Sequence, residues 1–167
     1  MTPTEPINLQ EWKGSAGAQQ SGRLFTCGRP GRATYDTKIL SGPDDIIDLW
    51  ANGLPKAEAL HIVSLLGRKR SGYSEFGYYP FRSAKEPGTK PTFQSWLDAR
   101  YGPRFVVHEF PTVDREGIPK DALGLAGDCV LRLLRAGHTT VVMDSAGCER
   151  TARVCEAIKY TSTSAGT

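Results

Sequence analysis

Three apolar runs rich in β-branched residues constrain this chain most: "ALHIVSLLG" (Ala59–Gly67), "RFVVHEFPTV" (Arg104–Val113) and "TTVVM" (Thr139–Met143). The first and third are nearly continuous rather than alternating, the pattern of a strand covered on both faces. "RLFTCG" (Arg23–Gly28) predicts a further strand, ended by the turn "GRPGR". Helical patterns lie between the runs. "SGPDDIIDLWANG" opens on a Ser41 cap, with Pro43 and acids in its first turn. It carries Ile46, Ile47, Leu49 and Trp50 and stops at Gly53. "TFQSWLDARYG" predicts a short helix over 92–102, and "PKDALGLAGDCVLRLLRAGH" a long one over 119–138, stopped at Gly137. Alternation of this kind predicts an α/β fold with a central, mostly parallel sheet flanked by helices. Ligands of such sheets collect beyond the carboxyl ends of the strands. The 167 residues suit one domain. The expected organisation is a flexible arm over 1–22, a folded unit over 23–160 and a polar tail over 161–167.

Composition removes several classes of function. No apolar run approaches the roughly 20 residues that span a bilayer, and the first 22 residues hold no signal-like apolar stretch. A formal charge of +3 permits an anionic partner but does not argue for a nucleic-acid-coating protein, and a nucleic-acid partner is not expected. The cysteines (Cys27, Cys129, Cys148, Cys155) lack C-x2-C spacing and the histidines are scattered, so no metal site is expected. Reduced thiols in a cytoplasm are the expectation, with Cys129 and Cys155 buried and inert. Over 68–91, basic residues accompany Tyr73, Phe76, Tyr78, Tyr79 and Phe81. Those rings can stack on a ligand or cover the core, and a basic run of only "RKR" favours the core.

The stretch "TTVVMDSAGCERTARVCEAIKY" (Thr139–Tyr160) carries the chemistry. A strand, a small-residue turn and a helix start point backbone N–H groups and the helix dipole at one spot. Ser145, Ala146 and Gly147 let the backbone wrap closely around an oxyanion. Arg150 offers a planar fork to two of its oxygens, and Thr151 can set a hydroxyl near the start of the loop. Yet Asp144, the first loop residue, is itself an anion. For these residues alone, an aspartate capping a helix is an equally good account.

"D-S-A-G-C-E-R-T" resembles the phosphate-binding loop of the cysteine-based protein tyrosine and dual-specificity phosphatases, whose signature is His-Cys-x5-Arg-Ser/Thr. "FPTVDREGIP" is similar to their general-acid loop, with Asp114 at the acid's position, thirty residues before Asp144 as in small members. "SGPDDIIDLWANGLPKAEALHIVSLLG" reads like their early helix-then-strand unit, so the likeness spans about 23–160. It implies a phosphatase-like fold, trimmed at its C-terminus, where members carry further helices. It also implies catalytic positions at Asp144 (nucleophile), Asp114 (acid), Arg150 and Thr151. Phosphate-binding positions fall at Ser145, Ala146, Gly147, Cys148, Glu149 and Arg150. No cofactor or metal is implied, and the ligand is a phosphorylated protein or another phosphomonoester.

The departures are as informative. Met143 stands where the family has His, and Asp144 where it has the attacking Cys. A carboxylate is a poor substitute for that thiolate, and its oxygens fill the space of the substrate phosphate. The loop amides and Arg150 are expected to hold the Asp144 carboxylate, or a weakly bound anion just outside it, and Glu149 weakens anion binding further. Cys148 lies on the far side of the loop from the attacking position. The haloacid-dehalogenase phosphatases do use an aspartate, but within Asp-x-Asp, and here the third residue is Ala146. The expectation is therefore a phosphatase-like protein that is inactive as it stands, as a pseudophosphatase or a Cys-to-Asp variant. The alternatives are an active phosphatase with an unusual nucleophile, and an interaction module using the basic and aromatic 68–91 segment.

Overall fold

A computed structural model of the chain describes residues 5–15, 17, 20–32, 44–77 and 79–165. In chain order the elements are β1 (Gln10–Glu11), β2 (Leu24–Gly28), α1 (Asp44–Gly53), β3 (Leu60–Ser64), α2 (Phe93–Tyr101), β4 (Phe105–Glu109), α3 (Lys120–Arg135), β5 (Thr139–Asp144) and α4 (Glu149–Ala165). The strands form one sheet in the order β1-β2-β5-β3-β4. β2, β5, β3 and β4 run parallel, and only β1 is antiparallel to its neighbour. The α/β class with a mostly parallel sheet follows from the apolar runs as expected.

Crossover handedness distributes the helices. From β2 the chain passes over the place of β5 to reach β3, then steps on to β4. It turns back from β4 to lay β5 between β2 and β3. Right-handed connections on a path that reverses direction put the early and late helices on opposite faces. Ile47 and Trp50 of α1, with Phe93 and Leu97 of α2, pack against Phe25, Cys27, Leu60, Ile62, Val141 and Met143. Val130, Leu134, Val154 and Ile158 of α3 and α4 pack against Leu24, Val63 and Val142 on the other face. β5 therefore leads to a helix on one face while its neighbour β2 is followed by a helix on the other. The crevice at their carboxyl ends is where an open sheet admits a ligand.

Several boundaries differ from those expected. Residues 5–12 belong to the fold rather than to an arm: Gly28 N–H donates to Ile7 O at 2.9 Å and Trp12 N–H to Leu24 O at 2.8 Å. A two-residue strand in a polar stretch is too short to leave a periodic signal. β4 ends at Glu109, because after Phe110 N–H bonds Ser64 O (2.9 Å) the next residue, Pro111, has no N–H to continue a ladder. At the other end, α4 takes in 161–165 of the expected tail, for no Gly or Pro interrupts it before Gly166. The Ser41 cap, Pro43 and Tyr78 lie outside the described residues. Over 68–91 the rings of Phe76, Tyr79 and Phe81 are buried, with Phe81 stacked on Phe93 at 4.6 Å, while Tyr73 stays 76% exposed. Among the described residues no helix is long and apolar enough to cross a membrane.

Candidate functional site

β5 delivers Asp144 to the crevice, where its side chain is buried. Its Oδ1 accepts the Gly147 N–H in a short hydrogen bond, and its Oδ2 accepts the Thr151 N–H at 3.0 Å. The carboxylate thus binds both the turn and the first turn of α4, whose leading N–H groups have no intrahelical partners. Gly147 is required there. Its φ is +77°, and a Cβ would lie 2.4 Å from the carbonyl carbon of Cys27 and 2.6 Å from the amide nitrogen of Gly28. The loop consequently lies flat on the end of β2. Arg29, just past β2, braces it by donating its backbone N–H to Ser145 O (3.2 Å) and Nε–H to Ser145 Oγ (3.2 Å). From the N-terminal segment Asn8 donates Nδ2–H to Ala146 O at 2.8 Å.

Arg150 is buried, and its guanidinium hydrogen-bonds Glu75 rather than the Asp144 carboxylate. Its two terminal nitrogens meet Glu75 Oε1 and Oε2 at 2.8 and 2.9 Å, a bidentate pair with both side chains 2% exposed. Nη1 also donates to Leu65 O (3.2 Å) and Thr112 Oγ1 (3.0 Å), and Nη2 to Asp114 Oδ1 (3.2 Å). Burial alone would push the Arg150 pKa down. The hydrogen bonds and charge of Glu75, then the charges of Asp144 and Asp114, outweigh it and hold the net shift upward. The expectation that Arg150 grips Asp144 is corrected accordingly: backbone amides hold the carboxylate, and the arginine joins the acid loop, β3 and the 68–91 segment to α4.

Asp114 reaches the same crevice. Thr112 Oγ1–H donates to Leu65 O at 2.6 Å, and backbone bonds link Arg68 N–H to Thr112 O (3.0 Å) and Asp114 N–H to Arg68 O (2.8 Å). A cavity of about 160 Å³ opens among Asp114, Asp144, Ser145, Ala146, Cys148, Glu149 and Arg150, with Arg32 and Arg115 at its rim. Seven of the nine expected site positions therefore line one space. Gly147 and Thr151 do not; they face a groove between α4 and β1, and Thr151 meets Asp144 through its amide. A larger cleft of about 370 Å³ lies behind the acid loop, lined by Pro111, Val113 and Pro119 beside Arg68, Lys85 and Glu116. It holds none of the loop's donors, so the smaller cavity is where chemistry can converge.

The sequence reading missed Glu75, Arg29, Arg32, Arg115 and Asn8. Glu75 stands within the irregular 68–91 segment, where no periodicity marks a buried position. The scattered histidines also converge. His61 Nδ1 lies 3.0 Å from His108 Nε2, and the His138 ring lies 4.4 Å from that of His61. Their rings pack on one another, and among the described residues no three His, Cys, Asp or Glu side chains are placed to hold a metal. All four cysteines are unpaired, and only Cys148 is exposed. Burial pushes the Cys155 thiol up to about 11 and, with help from Asp144 and Glu5, raises Cys27 further. Comparison with models of protein families, with curated proteins and with solved structures finds no match.

Proposed function

We propose that this chain is a protein tyrosine/dual-specificity phosphatase-like protein whose loop keeps the shape of a phosphate cradle without a working nucleophile. One observation carries the reading: the Asp144 carboxylate accepts the Gly147 and Thr151 N–H groups, donors that a strand–loop–helix cradle would turn toward an oxyanion or a thiolate. In support, Asp114 and Arg150 line the same cavity and are joined to each other at 3.2 Å, where this reading needs an acid and a phosphate-binding arginine. A carboxylate so held is occupied by hydrogen bonds and attacks phosphorus poorly. The ligand class is a phosphorylated protein or another phosphomonoester, and the unpaired thiols suit a cytoplasm.

The test is hydrolysis of an aryl phosphate by the unaltered chain and by Asp144→Cys. In the cysteine form the thiolate attacks phosphorus, Asp114 gives its proton to the departing oxygen, and water then cleaves the phosphocysteine. Turnover is expected only in Asp144→Cys, and is expected to vanish again on adding Asp114→Ala or Arg150→Ala. Turnover by the unaltered chain would overturn the proposal. A second reading, an interaction module, draws on Tyr73, which stands exposed beside Arg70 at the tip of a turn closed by Lys69 N–H to Tyr73 O at 2.7 Å. A folded Asp144→Cys protein without activity would favour it.

A further inference from the structure

We infer that the cavity beside the loop is an oxyanion site whose positive charge comes from Arg32 and Arg115 at its rim rather than from Arg150. The inference deepens the proposed function, on which it rests for the class of ligand, a phosphomonoester. It does not depend on whether the loop can be made catalytic.

Among the described residues, Arg32 Nε is buried and has no hydrogen-bond acceptor. A buried N–H without an acceptor is costly, and native proteins rarely leave one unless a ligand or ion completes it. Arg32 lines the cavity. Arg115 lines it too, is exposed and makes no salt bridge among the described residues. It is held in the acid loop at φ +66°, a conformation that a non-glycine residue seldom adopts.

The remaining charges are accounted for. Asp144 is held by the Gly147 amide of the loop and the Thr151 amide of α4, and Asp114 by Arg150. Arg150 is itself pinned from behind by both oxygens of Glu75. Two of the backbone donors around the loop and the Arg150 fork are therefore engaged, while the two rim arginines carry positive charge that no salt bridge among the described residues takes up. Glu149 opposes an anion from the lip, where it is exposed. At about 160 Å³ the cavity has room for one tetrahedral headgroup but not for a whole drug-sized ligand. The organic part of a phosphomonoester would therefore lie outside, over the rim. Two planar guanidinium forks suit such a headgroup better than lysines would.

The experiment is titration of the full chain with inorganic phosphate and with phenyl phosphate, followed by backbone amide NMR shifts. Variants are Arg32→Gln, Arg115→Gln, Glu149→Gln and Arg150→Met, each checked for an unchanged fold by its remaining spectrum. Both probes are expected to bind weakly and to shift Ser145, Ala146 and Arg115. Loss of either rim arginine should weaken binding about tenfold or more. Removal of the Glu149 charge should tighten it several-fold. Three results would overturn the inference: no saturable shift in the unaltered chain, binding indifferent to both rim substitutions, or binding that Arg150→Met alone abolishes. Each is distinguishable from failure of the proposed function, which is read from turnover by Asp144→Cys. Phenyl phosphate binding more tightly than inorganic phosphate would support an ester ligand over the free ion. The reverse order would overturn the assignment of the class.

Discussion

At the scale of single residues, Glu75 and Arg150 decide more about this site than the loop motif does. Both side chains are 2% exposed, and they form two charge-assisted hydrogen bonds. Removing one partner of such a pair leaves the other charged in a dry environment, at a cost of about 3–5 kcal/mol. Glu75→Gln should therefore lower unfolding free energy by several kcal/mol, as should Arg150→Met, in urea titrations. The double variant should lose clearly less than the sum of the two, because neither charge then remains to be orphaned. Strict additivity would mean that the pair is solvated. Glu75 shows how little of this is legible in a sequence. Arg150 announces itself by its place after a small-residue turn. Its partner is one glutamate among the charges of an irregular segment, buried along with Phe76, Tyr79 and Phe81 of the same segment.

At the scale of elements, the four parallel strands were legible because their runs are mainly apolar, and the loop because strand, turn and helix follow without interruption. What strands bring together sideways was not. His61 on β3 and His108 on β4 face the same side as Val63, under α3, and His138 enters from the turn before β5. Burial, then the nearby His138 and His108, hold the His61 imidazole down at about 4. For His108 burial and then Arg132 of α3 act in the same direction. A base whose folded value lies below its unfolded value, about 6.5, binds more protons when unfolded. Its full contribution is present above pH 6.5 and is lost as the pH falls toward 4. Stability should drop by roughly 2–3 kcal/mol across that window from His61. Chemical denaturation at pH 7.5, 5.5 and 4.5 would measure it, and His61→Leu should flatten the profile. A slope unchanged in His61→Leu would place the acid sensitivity elsewhere.

At the scale of the whole molecule, the loop is held by chain far from it in sequence, and the N-terminal segment is the clearest case. β1 pairs with β2, Ile7 O accepts the Gly28 N–H, and Glu5 Oε1 accepts the Gly31 N–H at 2.8 Å. Asn8 reaches across to Ala146 O. Each bond fixes either the end of β2 or the turn lying on it, so the segment clamps one wall of the crevice. The opposite face, where α3 and α4 pack on Leu24, Val63 and Val142, does not involve it except through Trp12. Deleting residues 1–12 should therefore act unevenly. At about 1 kcal/mol for each lost hydrogen bond, the protein should lose roughly 3 kcal/mol and melt about 6–12 °C lower. Amide exchange should quicken most at Gly28 and Gly147, and least in the middle of α3. Asn8→Ala alone should reproduce the faster exchange of the loop with little change in melting temperature. It should also lower whatever turnover Asp144→Cys gains, since a loop less firmly held presents its donors less often. Uniform quickening across both faces would show instead that the segment stabilises the domain as a whole, without bracing the loop.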